Sequence, residues 1–377
     1  MNTVTRYPLR TSTRQASAHP WAWWGWAVGM AGSVSLTTNP LLLALVALAV
    51  AAVVVFRRGD APWARSIGAY VAVAGVIIGI RMVFQIILGA GTGSTVWFTL
   101  PELTLPDWAA GVRLGGPVTA ESLVYAFNDA LRLGVLLFCL GAANALANPR
   151  QALRNVPAAL YEFSVAVVIA LSVAPQLIES TQRIRRARQL RGGAVTSRRA
   201  VRAVIIPVLA DAVDRSLLLA AGMEARGFGR TREGRRPSGT ATALVLGSMM
   251  AVVLGTYGLL SSATSLTWAL PALTLGLVGS IAGLRAAGRG LRVTRYRPQP
   301  WRRADTGVIV AGLIAFGTAV LANVGGMTAA GLAWHPPTDP LTWPTLHPWM
   351  LAVLGGGLAP VALIPTPPRT AREPEPA

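Results

Sequence analysis

The chain of 377 residues contains no lysine, so all 34 of its basic side chains are arginines. A Walker-A loop needs a lysine that reaches the phosphates of the bound nucleotide. The sequence therefore excludes a Walker-A ATPase. We expect a protein that does not hydrolyse ATP itself and is not an enzyme.

Cysteine and histidine are almost absent as well. The single cysteine, Cys139, lies in an apolar run, which excludes a disulfide framework and a cysteine-based metal site. The three histidines, His19, His335 and His347, are far apart and follow none of the spacings typical of metal ligands. We expect neither a bound metal nor a cofactor.

Charged residues make up only 13% of the chain, whereas 53% of the residues are hydrophobic. So few charged groups do not cover a soluble globule of this size, and much of the surface is expected to face lipid. A net charge of +19 would also suit a nucleic-acid partner. The positive mean hydropathy of +0.51 argues against that partner and favours a lipid bilayer.

Long apolar runs predict an all-α, polytopic membrane protein, because a helix needs about 20 apolar residues to cross the hydrocarbon core. Tryptophans at the start of the first run are typical of an interfacial belt. Two further apolar stretches, 158–178 and 203–222, are less typical of spans. The eight predicted spans are 21–38, 41–56, 66–89, 122–147, 239–262, 266–285, 306–325 and 349–365.

The arginines predict the topology, because short cytoplasmic loops retain positive charge. With the N-terminus inside and eight spans, every arginine outside the spans falls on the cytoplasmic side except Arg113, which remains outside. If 158–178 crossed the membrane, Arg150 and Arg154 would face away from the arginines at 183–191. We therefore predict that both doubtful stretches lie on the cytoplasmic side.

Four segments follow from this topology. An N-terminal membrane domain of about four spans covers 1–147, and an arginine-rich cytoplasmic or interfacial module covers 148–236. A C-terminal membrane domain of about four spans covers 237–366, and a cytoplasmic tail covers 367–377.

The module is predicted to contain two long helices, 158–191 and 199–228, each apolar in its first half and basic in its second. Pro175 and Pro207 lie inside them and are expected to bend them. Asp211 and Arg215 are four residues apart and are expected to pair on one helix face. Arg81, inside a predicted span, is expected to face a helix partner.

Both long helices end in the same way, with an arginine followed at once by a glycine. The first ends Leu190-Arg191-Gly192 and the second Ala225-Arg226-Gly227. A glycine cap and a basic last turn are sufficient structural reasons for one such ending. Two of them on one side of a membrane suggest a pair of docking ends for a groove lined by carboxylates.

These residues resemble the transmembrane T component of energy-coupling factor transporters, the family that includes the Q subunit of cobalt and nickel importers. In that family two coupling helices each end in an Ala-Arg-Gly-like motif. The second ending here matches closely, and the first carries Leu190 where alanine is usual. Further matches are His19-Pro20, Asn39-Pro40-Leu41, Asn148-Pro149, the positions of Pro175 and Pro207, and Thr294 to Pro298 with Trp301 and Asp305.

The resemblance covers most of 19–325 and departs from the family pattern in two places. An additional apolar hairpin, 239–285, follows the second coupling helix, where the basic stretch is expected almost directly. A further predicted span, 349–365, comes after the usual end of the family.

The resemblance implies a non-catalytic coupling subunit of an ATP-driven importer in the bacterial inner membrane, with both termini cytoplasmic. Its implied partners are two cytoplasmic ABC ATPases, or one fused double ATPase, and a small membrane protein that binds a vitamin or a metal ion. Arg191 and Arg226 are the implied ATPase-coupling residues, together with Leu190, Gly192, Ala225 and Gly227. The apolar halves of the coupling helices would pack under the substrate-binding protein.

Two alternatives come from other functional classes. The first is a self-contained channel or secondary transporter with a basic regulatory platform, which should carry carboxylates or histidines at membrane depth. Only Glu121 and Asp129 come close to that description. The second is a membrane protein that tethers nucleic acid, which predicts steep salt dependence and no ATPase partner.

Overall fold

The computed structural model describes residues 18–59, 67–88, 93–104, 113–191, 198–228, 239–260, 266–288, 299–324 and 333–365. The chain is an all-α polytopic membrane protein, and its described residues include one β-hairpin. They form the helices α1 (Pro20–Ser35), α2 (Pro40–Arg57), α3 (Ile67–Leu88), α4 (Ala120–Leu146), α5 (Pro149–Arg154), α6 (Tyr161–Leu190), α7 (Arg198–Ala225), α8 (Gly239–Leu260), α9 (Leu266–Gly288), α10 (Arg303–Val324) and α11 (Met350–Leu363).

Among the described residues, seven helical segments are long and apolar enough to cross a membrane. They differ from the eight predicted spans in two ways. α1 and α11 have only 16 and 14 residues, about 24 and 21 Å, against a hydrocarbon core of about 30 Å. Ala158–Leu190 joins the candidates, because its apolar half continues without a break into one long helix. The other six candidates lie in α2, α3, α4, α8, α9 and α10.

The β-hairpin was not expected from the sequence. Strand β1 (Val96–Thr104) pairs antiparallel with β2 (Arg113–Thr119), and Phe98 lies opposite Val118. Pro101 in β1 and the positive-φ glycines Gly115 and Gly116 in β2 interrupt the alternation of polar and apolar residues by which strands are recognised. The hairpin connects α3 to α4.

Packing divides the chain into two compact units, 1–152 with 299–377 and 153–298. In the first unit, α1, α2, α4, α10 and α11 surround one apolar core. Glycine allows α1 and α10 to approach closely, since a Cβ on Gly312 would lie 2.8 Å from the Cα of Trp26. The indole N–H of Trp26 donates to the carbonyl of Gly356 at 2.9 Å, which connects α1 to α11.

α3 packs against α4 at the edge of the first unit. The carboxylate of Asp129 on α4 forms ion pairs with Arg81 of α3 and with Arg132 of its own helix. The N to O distances are 3.1 and 2.6 Å. The expectation that Arg81 faces a helix partner is thereby confirmed. Asp129 is thus paired with two arginines.

Three of the dipeptides that carry the family resemblance begin helices. Pro20, Pro40 and Pro149 are the first residues of α1, α2 and α5. Proline suits this position because the first amides of a helix have no acceptor within it. Asn39 caps α2 by accepting the backbone N–H groups of Leu41 and Leu42, and Asn148 accepts those of Arg150 and Gln151.

In the second unit, α8 and α9 form a tightly packed apolar hairpin, the segment that departs from the family pattern. A Cβ on Gly255 would lie 2.5 Å from the backbone nitrogen of Leu273, and one on Gly276 would lie 2.6 Å from that of Val252. Small residues at such positions are typical of helix contacts within membranes. At its end, Gly288 of α9 packs on the 3-10 turn Ala158–Leu160 that leads into α6.

Candidate functional site

The candidate site is the helix pair α6–α7, which carries both arginine-glycine endings. The order of the contacts between the helices shows that they run antiparallel. Gln176 of α6 contacts Arg215 of α7, and Ser180, one turn later on α6, contacts Asp211, one turn earlier on α7. At the start of α6, the ring of Tyr161 lies 6.2 Å from the ring of Phe228, just beyond α7.

The C-terminus of α7 is closed by a Schellman motif. The N–H of Phe228 donates to the carbonyl of Met223 at 3.0 Å, and the N–H of Gly227 donates to that of Glu224 at 2.9 Å. Gly227 has φ +74°, a conformation that costs glycine little. Arg226 is therefore the C-cap residue, and its side chain is exposed. The positive φ at this position explains why a glycine follows Arg226.

The C-terminus of α6 resembles that of α7 in having an exposed arginine as its C-cap residue. Arg191 is the C-cap residue, its N–H donates to the carbonyl of Arg188 at 3.1 Å, and its side chain is exposed. Leu190 is 89% exposed, whereas its counterpart Ala225 has little side chain to offer a partner. Gly192 lies outside the described residues, as do the stretch from Thr294 to Pro298 and the predicted tail 367–377.

The antiparallel pairing places Arg191 and Arg226 at opposite ends of the helix pair. Arg226 lies near Tyr161, where α6 begins, and Arg191 follows the last residue of α6. Because α6 has 30 residues, the two arginines are roughly 40 Å apart along the pair at 1.5 Å per residue. The two arginine-glycine endings are therefore well separated, and each has its own surroundings.

α7 exposes an apolar stripe along its length. Ile206, Leu209, Val213 and Leu217 are each more than half exposed, and their spacing places them on one face of the helix. At about 100° per residue, that face lies opposite Asp211, which points at α6. The stripe is thus on the side of α7 turned away from α6. Both helix assignments continue through Pro175 and Pro207, and the bends expected there remain predictions.

A polar cluster joins the two helices in the middle of the pair. Asp211 accepts the hydroxyl of Ser180 at 2.7 Å and the Nε–H of Arg215 at 3.1 Å, and a guanidinium nitrogen of Arg183 lies 3.7 Å from it. Arg215 also donates to Gln176 at 3.2 Å. We call these five residues the Asp211 cluster. Hydrogen bonds from Ser180 and Arg215 hold the pKa of the Asp211 carboxyl below its ordinary value of 3.8.

Sequence reasoning found part of this cluster. The pairing of Asp211 with Arg215 was expected from their spacing and is confirmed. Gln176, Ser180 and Arg183 were missed, because their contact with α7 depends on the register of the two helices. The antiparallel order of two helices joined by a short connection would have been the signal.

No three residues of the types His, Cys, Asp and Glu come together as metal ligands in the described part of the chain. A family model described as CbiQ, cobalt transport protein, matches residues 21–237. The match covers more than half of the 377 residues, includes the whole α6–α7 pair, and ends just before α8. No curated protein matches the sequence.

Proposed function

The chain belongs to the CbiQ family of cobalt transport proteins, and from that premise we propose that it is the transmembrane coupling subunit of an energy-coupling factor importer. It would connect two cytoplasmic ABC ATPases, or one fused double ATPase, to a separate membrane protein that binds the substrate. The substrate would be a metal ion or a vitamin, chosen by that separate protein. The chain would lie in the bacterial inner membrane, with both termini in the cytoplasm.

The observation that carries the proposal is the position of Arg191 and Arg226. Each is an exposed C-cap residue, and the two stand at opposite ends of one antiparallel helix pair. Two ATPase subunits need two separated docking points, which this arrangement provides. A guanidinium presents a planar fork that binds a carboxylate with two parallel hydrogen bonds, so an acidic groove on each ATPase is the matching partner surface.

The apolar stripe on α7 supports a second contact. Ile206, Leu209, Val213 and Leu217 point away from α6, and such an exposed stripe suits either lipid or another membrane protein. In the proposed complex the substrate-binding subunit packs against this stripe and the apolar half of α6. Movement of the ATPases would then reach that subunit through two long helices, which act as levers.

The test is to purify the tagged chain from its native membranes in mild detergent and to identify what comes with it. We expect one or two ATPases that carry a Walker-A lysine, and a small hydrophobic protein. ATP hydrolysis by the purified complex should depend on those ATPases. A chain that purifies alone and conducts ions or solutes in liposomes without ATP would contradict the proposal and support a self-contained channel or transporter.

A further inference from the structure

The α6–α7 pair has almost no apolar core of its own. Only Ser164, Ser180 and Val204 are buried among the residues of the two helices whose side chains the structure describes. Apolar packing is non-directional and here too sparse to fix how the helices cross. Hydrogen bonds are directional, so they decide the crossing wherever they join the helices.

The Asp211 cluster supplies such bonds in the middle of the pair. One carboxylate receives a hydroxyl of α6 and a guanidinium of α7, and Arg215 reaches back to Gln176 of α6. The hydroxyl of Ser180 belongs to a residue that is only 2% exposed, so the donor of that bond is shielded from water. The cluster therefore fixes both the register and the direction of the crossing.

The two helix prolines bracket the cluster. Pro175 directly precedes Gln176 on α6, and Pro207 lies one turn before Asp211 on α7. In the antiparallel register, these prolines stand at the two ends of the segment that the cluster occupies. A proline removes one backbone hydrogen bond and allows its helix to bend there. Each helix can thus flex at its proline, on the N-terminal side of the cluster, whereas the C-terminal arms that end at Arg191 and Arg226 contain no proline.

We propose that Asp211 is a positioning residue that makes the crossing of α6 and α7 a fixed pivot. One arm beyond the pivot ends at Arg191 and the other at Arg226, so a displacement of one end is passed to the other. The pivot geometry depends on this chain alone. Its use in transmitting ATPase movement rests on the function proposed above.

The geometric part is tested on the full chain in lipid nanodiscs by pulsed EPR. Spin labels at Gln189→Cys and Glu224→Cys, both exposed positions near the two ends, leave Arg191 and Arg226 intact. Cys139→Ala removes the one native cysteine. We expect one narrow distance distribution that becomes at least twofold broader in Asp211→Asn, because the amide cannot accept both arginines as a carboxylate does.

Three further variants separate positioning from loss of folding. Asp211→Glu keeps a carboxylate and should restore a narrow distribution, whereas Ser180→Ala removes one donor and should broaden it less. Asp214→Asn, an exposed carboxylate three residues along the same helix, should match the wild type. An Asp211→Asn distribution as narrow as that of the wild type would overturn the proposal, and so would equal broadening in Asp214→Asn.

The transmission part is tested with the same labels in the complex with ATPases. Asp211→Asn should retain the ATPases, since both docking arginines remain, but the distance change produced by ATP should fall at least twofold. An unchanged response to ATP would overturn the pivot role. If no ATPase purifies with the wild type, the proposed function fails, and the EPR result on the isolated chain still decides the geometry.

Discussion

The ring of Phe228 lies against the ring of Tyr161, with 6.2 Å between their centroids. This contact fastens the end of α7 to the beginning of α6. The same end of α6 is held by the 3-10 turn on which Gly288 of α9 packs. Arg226 is therefore next to a fixed part of the second unit, whereas Arg191 ends the other arm beside the highly exposed Leu190.

The Schellman motif at Gly227 predicts that replacing two nearby glycines by alanine changes stability in opposite directions. A Cβ on Gly227 would meet no atom within 4 Å, so Gly227→Ala suffers only from its positive φ, a cost of roughly 1 kcal/mol. In this variant, hydrogen exchange at the backbone amides of residues 227 and 228 should be several-fold faster than in the wild type. Gly222→Ala, at an equally open position inside α7, should instead stabilise the helix by about 0.5–1 kcal/mol. Equal effects at both glycines would contradict the cap.

Asp305 connects the start of α10 to the start of α1. The carboxylate is 2% exposed and accepts the backbone N–H groups of His19 and Arg302, each at 2.8 Å. Asp305→Ala leaves both donors without this acceptor and should lower the free energy of unfolding by about 1–3 kcal/mol. Asp305→Asn keeps one acceptor and should cost less. Thermal unfolding in detergent measures the order, and an Asp305→Ala variant as stable as the wild type would refute it.

His19 predicts a dependence of stability on pH. Burial lowers its pKa below the ordinary 6.5, and the opposing charge of Asp305 does not reverse the shift. The unfolded chain therefore binds a proton more readily than the folded one below pH 6.5, so stability is highest above that pH and falls on acidification. His335 shifts in the same direction. His19→Asn, which can still cap α1, should flatten the pH dependence of the melting temperature relative to the wild type.

The crossing of α1 and α10 predicts different outcomes for two glycines of α10. A Cβ on Gly312 would lie 2.8 Å from the backbone of Trp26, whereas one on Gly317 would meet nothing within 4 Å. Gly312→Ala should force the helices apart and cost about 1–3 kcal/mol. Gly317→Ala should be neutral or slightly stabilising. Melting temperatures of the two variants give the comparison, and the reverse order would place the helix crossing elsewhere.

Much of the helical framework was predictable, because long apolar runs have few alternatives in a membrane protein. α2, α3 and α8 begin within one residue of their predicted starts. Helix length was less predictable: α1 ends at Ser35, three residues before its predicted end. The β-hairpin was missed because Pro101 and two glycines interrupt the alternation of polar and apolar residues in its strands.

The candidate site was predictable in its residues and not in its arrangement. A glycine after an arginine at the end of a basic helix can be read from one chain segment, so both endings could be found. That Arg191 and Arg226 stand at opposite ends depends on the register between α6 and α7. The contact of Ser180 with Asp211 sets that register, and it connects residues that no local pattern joins.

Charge reversal at the two arginines is expected to act unequally. Arg226→Glu should reduce co-purification of the ATPases at least tenfold, because a glutamate would face the carboxylates that bound the guanidinium; a tenfold loss corresponds to about 1.4 kcal/mol. Arg191→Glu, in the less typical motif, should cause a smaller loss of ATPase co-purification. Arg202→Glu and Arg186→Glu, exposed arginines of the same helices, serve as matched controls and should bind as the wild type does. A larger loss for Arg191→Glu would reverse the assigned order.

The proposed coupling role is tested most directly by the yield of ATPase that purifies with the double variant Arg191→Glu/Arg226→Glu from membranes in which all partners are expressed. The yield should fall to background while the variant chain remains folded and in the membrane, and the control Arg186→Glu/Arg202→Glu should keep the full wild-type yield. ATPase recovered with the Arg191→Glu/Arg226→Glu chain at the wild-type level would contradict the role of these two residues as the docking points.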